Sequence, residues 1–172
     1  MIDAIENSAF AIWVRESPSL FAYTAILSLH AMGLAIIVGL NTIVALRLLG
    51  VVPSIPVAEL RKLYPWMYVG FTVNAISGLM LLASNLSNDL GNWMFITKLA
   101  FIVLAMVNLE LTRARVFDSP ALLQPTGAGA VAIPAGAKSF AVASLVLWTG
   151  AIIAGRLTEY PYFVRSFFGL GG

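Results

Sequence analysis

The sequence predicts an all-α polytopic membrane protein, a bundle of four transmembrane helices, and three observations carry that reading. Hydrophobic residues make up 60% of the 172-residue chain against 10% charged ones, and the mean hydropathy is +0.92, a composition outside that of soluble domains. Four apolar stretches, over about residues 19–49, 65–86, 93–113 and 139–157, match the roughly 20 residues that cross a bilayer core. Most charged residues fall in the connections between them. The chain therefore reads as one transmembrane domain over residues 1–172, with membrane lipid as its first partner.

Composition also excludes several functions. The chain has no cysteine, so disulfides and thiolate metal sites are absent. A net charge of +2 is too small to suggest nucleic acid. No nucleophile with its base, no carboxylate pair and no phosphate loop appears, so an independent enzyme is not expected. The opening MIDAIENSAF is acidic and lacks the basic region and small-residue cleavage site of a signal peptide, so it reads as retained sequence.

Before the first span, residues 7–17 mix Phe10, Ile12, Trp13 and Val14 with Arg15 and Glu16 and end at Pro18. That pattern suggests a short helix on the membrane surface, anchored by Trp13. The first span is the longest apolar run and holds His30, the one histidine of the sequence. Gly50, Pro53 and Pro56 stop it through fixed φ and lost donors. Tyr64, Pro65 and Trp66 open the second span, with proline in the first helical turn where its missing N–H costs nothing. Gly70, Asn74, Ser77 and Gly78 give that span a small, polar packing face. The connection 87–92 is short and polar, so spans two and three read as an antiparallel hairpin. Trp93 begins the third span, which contains Lys98 and ends at Arg113 and Arg115. The stretch 118–138 is rich in Ala, Gly and Pro and reads as a flexible loop. The fourth span carries Trp148 and the small pair Gly150 and Ala154, and leaves through Arg156, Glu159, Tyr160 and Tyr162. A tail with Phe163, Phe167 and Phe168 is expected along the surface.

Orientation follows from the positive charges. The first and third connections collect Arg47, Arg61, Lys62, Arg113, Arg115 and Lys138, and the second has no Lys or Arg. The positive-inside rule then places both termini outside, on the periplasmic face of a bacterial inner membrane. At about 1.5 Å of rise per residue, His30, Lys98 and Met80 fall at one level of the outer half, and Trp148 and Arg156 approach it from the fourth span.

An ionisable group inside an apolar span marks a site, and two chemistries suit these residue types. A b-type haem would take the His30 imidazole as axial ligand, with Gly33 leaving room for a flat macrocycle and Lys98 and Arg156 facing its propionates. One histidine per chain leaves the other axial position to Met80 or another methionine, to an open site, or to a haem shared by two protomers. Copper is the alternative, since imidazole and thioether bind Cu(I) and Met32, Met67, Met80, Met94 and Met106 lie in or near spans. A plainer reading stands beside both: His30 hydrogen-bonds a neighbouring helix, Lys98 snorkels to the interface and the methionines fill gaps.

The motifs SLHAMGLAIIVG, TVNAISGLMLLAS and FITKLAFIVLAMVNLELTRAR resemble small bacterial inner-membrane proteins of unknown function, similar to the transmembrane part of the copper-resistance D family. The resemblance covers the first three spans. It implies a four-helix membrane core linked to metal or redox chemistry, with His30, Gly33 and Lys98 at the positions of a first-helix histidine, its following glycine and a third-helix lysine. The chain is shorter than the full copper-resistance D proteins and lacks their further histidines. The expectation is a homo-oligomeric inner-membrane protein that binds haem b or a metal and serves electron transfer with a redox partner protein. The alternative is a cofactor-free structural or assembly subunit, or a small-solute carrier.

Overall fold

The structure, a computed structural model, describes residues 2–118, 134 and 136–160, and every regular element among them is helical. Four helical stretches among the described residues are long and apolar enough to cross a membrane: Tyr23–Leu49, Val57–Ser84, Trp93–Phe117 and Ala137–Leu157. Most of the expected loop 118–138, and the tail with Tyr162, Phe163, Phe167 and Phe168, lie outside the described residues.

An N-terminal arm comes first, made of α1 (Ile2–Glu6) and α2 (Ala9–Glu16). Ser8 caps α2 by accepting from the Ala11 amide at 3.2 Å. The first spanning helix, α3 (Tyr23–Leu49), ends at Gly50, whose φ of +87° is the left-handed conformation that glycine adopts without strain. The Gly50 amide reaches the Arg47 carbonyl and the Val51 amide the Leu46 carbonyl, which is the Schellman closure. After α4 (Val57–Leu60) and a 3₁₀ turn, α5 runs over Tyr64–Ser84 with Pro65 in its first turn. A short α6 (Leu86–Leu90) leads to α7 (Trp93–Thr112), which is capped by Asn92 and leaves through a π turn over Arg113–Phe117. The last helix, α8, spans Ala137–Leu157.

Three helix pairs pack closely: α3 with α5, α3 with α8, and α7 with α8. The hairpin expectation for spans two and three needs correction, because α5 and α7 are antiparallel but are not a packed pair. They are bridged at one end, where the Tyr68 hydroxyl donates to Glu110 and Arg113 donates to Tyr68 at 3.0 Å. Arg113 and Arg61 also pair with Asp118, at 3.6 and 2.9 Å.

The core is lopsided along the axis of the bundle. At the end away from the arm it is continuous, built on Ile37, Leu48, Leu60, Met67, Leu109, Phe117 and Trp148. At the arm end the buried cluster shrinks to Met94 and Ala154, with Phe101 and Leu157 packed against them. The four helices are joined there around a space rather than a core.

Candidate functional site

That space is a cavity of about 610 Å³, within the size range of small-molecule and cofactor sites. α3 contributes Tyr23, Leu27, His30 and Leu34, which lie close to one face at spacings of seven, four and three residues. Asn74, Gly78 and Leu81 come from α5, Phe95, Lys98 and Ile102 from α7, and Ala151, Gly155 and Arg156 from α8. Its walls are mostly apolar, and its rim is charged.

His30 is half-buried, and its Nδ1 lies 2.9 Å from the Asn74 carbonyl oxygen and 3.3 Å from Ser77 Oγ. A carbonyl only accepts, so Nδ1 carries the proton, and in the neutral form of the ring the lone pair is on Nε2. The Asn74 amide nitrogen sits 3.3 Å from Nδ1 and 3.4 Å from Nε2. Near-equal distances to both nitrogens put it over the ring face, out of line with the Nε2 lone pair. Its clear bond goes to the His30 backbone carbonyl, at 2.8 Å. The ring edge lies against Gly78, where an added Cβ would stand 3.0 Å from Cε1.

Lys98 reaches the cavity from α7 with its stem laid on Gly155, where an added Cβ would meet Cδ at 3.4 Å and Cε at 3.5 Å. Its ammonium is 5.8 Å from the Phe95 ring centroid, a cation–π contact. Arg15, Arg156, Asp89 and Glu159 complete the rim. Burial, and then the neighbouring Glu159 carboxylate, push the Asp89 carboxyl above its ordinary range, against the opposing influence of Lys98 and of its bond with Asn85.

Of the residues singled out from the sequence, His30, Lys98 and Arg156 line this one cavity. Gly33 does not, and the expectation of a macrocycle against it is overturned by geometry. A Cβ there would stand 2.6 Å from the Asn74 amide nitrogen and 2.8 Å from the Gly70 carbonyl, so the space at Gly33 is already filled by α5. Trp148 is 3% exposed and belongs to the packed core, not to the cavity wall. Met80 is partly buried and is not among the described residues lining the cavity, so it does not join His30. Nor do the other copper candidates: Met67 is fully buried near Asn41, Met94 packs in the small cluster with Ala154, Met106 packs against the larger core and Met32 is 60% exposed. Among the described residues no group of three or more His, Asp or Glu side chains gathers to hold a metal.

In the sequence Asn74, Ser77 and Gly78 present only a packing face. Their spacing of three and four residues was the available signal, since it puts all three on the side of α5 that meets His30. Asp89, Glu159 and Arg15 had no sequence signal, because they meet only when three chain segments fold together.

Fold and cavity together define the class: a four-span α-helical membrane protein with a histidine-bearing cavity inside one half of its bundle. No family model, curated protein or solved structure matches the chain.

Proposed function

We propose that this chain is a haem-binding protein of a bacterial inner membrane, holding one b-type haem on His30 and serving as an electron-transfer or redox accessory component. The observation that carries the reading is the Nδ1–H bond from His30 to the Asn74 carbonyl, which leaves Nε2 as a lone pair in a ring that lines the cavity. Imidazole ligands of metals are ordinarily oriented by such a bond to a backbone carbonyl or carboxylate. The remaining residues suit the same group. Leu27, Leu34, Leu81, Phe95 and Ile102 supply apolar walls, and Lys98 and Arg156 supply cations for two propionates at the rim. A bound haem contributes one-electron chemistry, and the protein contributes the axial ligand, the exclusion of water and the counter-charges. Within the described residues His30 is the one imidazole or thioether ligand on the cavity wall, so the reading takes a single axial ligand from each chain. A second protomer in a homo-oligomer is the source to test for another.

The resemblance to the copper-resistance D family enters this proposal as a link to redox metal chemistry, with haem preferred to copper because no methionine joins His30. The positive-inside distribution supports a cytoplasmic location for the Tyr68, Glu110 and Arg113 end and a periplasmic one for the cavity and both termini. One observation favours the cofactor-free alternative: His30 and Asn74 hydrogen-bond each other's backbone carbonyls and so clamp α3 to α5. Such intramembrane bonds contribute only about 0.6 kcal/mol on average.

Purified in mild detergent, the protein should give a Soret band, a dithionite-reduced spectrum of b type and iron in a fixed ratio to protein. His30→Ala should remove the band while the chain stays helical, and added imidazole should restore part of it. A folded, monodisperse protein without Soret absorbance on reconstitution with haem would sink the proposal and leave the clamp as the role of His30.

A further inference from the structure

The N-terminal arm borders the cavity on its α5 and α6 side. α2 packs against α5 and α1 against α6. Arg15 lines the cavity and donates from its guanidinium to the Ser84 carbonyl, also on the wall, at 3.2 Å. Glu6 accepts from the backbone amide of Ser87 at 3.1 Å and from its hydroxyl, tying α1 to the short helix that brings Asp89 to the rim. Both ties bridge about seventy to eighty positions of sequence, so they are tertiary contacts and not local turns.

Little else holds the arm down. α1 has no buried residue, and α2 buries only Ala11 and Val14. Ile2, Ile5, Phe10, Ile12 and Trp13 are all exposed. Segments with few buried apolar contacts, held by a few polar bonds at the surface or half-buried, are those that open locally while the rest of a fold stays closed. The bundle beneath is different in kind, since its far half is a continuous buried core.

We propose that the arm is a strap along one side of the cavity mouth, fastened by Glu6 on Ser87 and Arg15 on Ser84, whose release widens the path of a ligand to His30. The ligand's identity as haem rests on the reading above; the opening itself does not. Access in this scheme is from the arm end of the bundle.

The absence of native cysteine makes a direct test available. A single Leu34→Cys thiol on the cavity wall is alkylated with a water-soluble maleimide, in the otherwise unchanged chain and in the same chain carrying Glu6→Ala, Arg15→Ala or both. Unfastening the strap should speed alkylation, with about a ten-fold gain expected for the double variant. A Leu48→Cys thiol, in the packed core, should keep its slow rate. Release of bound haem to an apo-globin acceptor should accelerate by a similar factor. Equal Leu34→Cys rates in all chains would overturn the strap, as would a parallel rise at Leu48→Cys, which would mean a loosened bundle. Gated alkylation in a chain that never shows a Soret band would uphold the strap and remove only the haem.

Discussion

Gly33 and Gly39 lie on one helix and look alike in sequence, yet the fold gives them opposite roles. A methyl group at 33 would run into the backbone of α5 at 2.6 and 2.8 Å, whereas one at 39 would meet nothing within 4 Å. Backbone cannot swing aside as a side chain can, so Gly33→Ala should cost about 1–3 kcal/mol, the usual range for overpacking. Gly39→Ala should be neutral or stabilising by up to about 1 kcal/mol through helix propensity. Reversible unfolding in mixed detergent micelles compares the two directly. A Gly33→Ala variant as stable as Gly39→Ala would mean that α3 and α5 can move apart freely. The same pair shows a limit of reading residues in isolation. Gly33 follows His30 by three positions, one helical turn, and that spacing alone does not say whether a ligand or another helix occupies the turn.

Among the helices, each closely packed pair carries one buried asparagine that bridges it. Asn74 joins α5 to α3 through the His30 carbonyl. Asn41 joins α3 to α8 by accepting from Ser144 at 2.9 Å, and Asn108 joins α7 to α8 by donating to the Phe140 carbonyl at 3.1 Å. Apolar burial cannot choose partners among helices that are apolar all round, so these polar bonds, with the close contacts at small residues, help to specify which helices meet. A double-mutant cycle on Asn41→Leu and Ser144→Ala should return a coupling of about 0.6 kcal/mol, and not above about 1.7. Zero coupling would show that packing alone sets the α3 and α8 pair. At this scale the sequence was informative about helices and weak about neighbours. The expected spans at 65–86 and 93–113 agree closely with Tyr64–Ser84 and Trp93–Thr112. The expected hairpin between them was an inference from a short connection, and α6 together with the packing of α3 and α8 leaves that pair apart.

Over the whole molecule, the packed core and the cavity divide along the axis of the bundle. The half with Leu48, Leu60 and Met67 is packed, and the half with His30 and Lys98 encloses the cavity. Truncating a side chain in the packed half should therefore leave a new void, at the 2–5 kcal/mol typical of Leu→Ala in a core. Leu34 packs on that core on one side and borders the cavity on the other, so Leu34→Ala opens partly onto existing space and should cost less than Leu48→Ala, about 2 kcal/mol, at the lower end of such truncations. Thermal unfolding followed by circular dichroism would compare Leu48→Ala with Leu34→Ala. Equal losses would contradict the division. The proposed strap and the cavity share the less densely packed end.

The sequence by itself determined that the chain is helical, that four stretches can cross a membrane, and that His30 and Lys98 are the unusual polar residues within them. Those features are written in composition and in the lengths of apolar runs, which a bilayer reads one segment at a time. Only the tertiary structure decided which of the candidates meet. It brought His30, Lys98 and Arg156 to one cavity, sent Gly33 and Trp148 into packing, left Met80 off the wall, and added Asn74, Gly78, Asp89 and Glu159. The physical reason is rotational. Depth along a helix follows from counting residues, but the direction a side chain faces around the axis depends on which neighbour that helix packs against, and in an all-apolar span the sequence pattern hardly distinguishes one face from another.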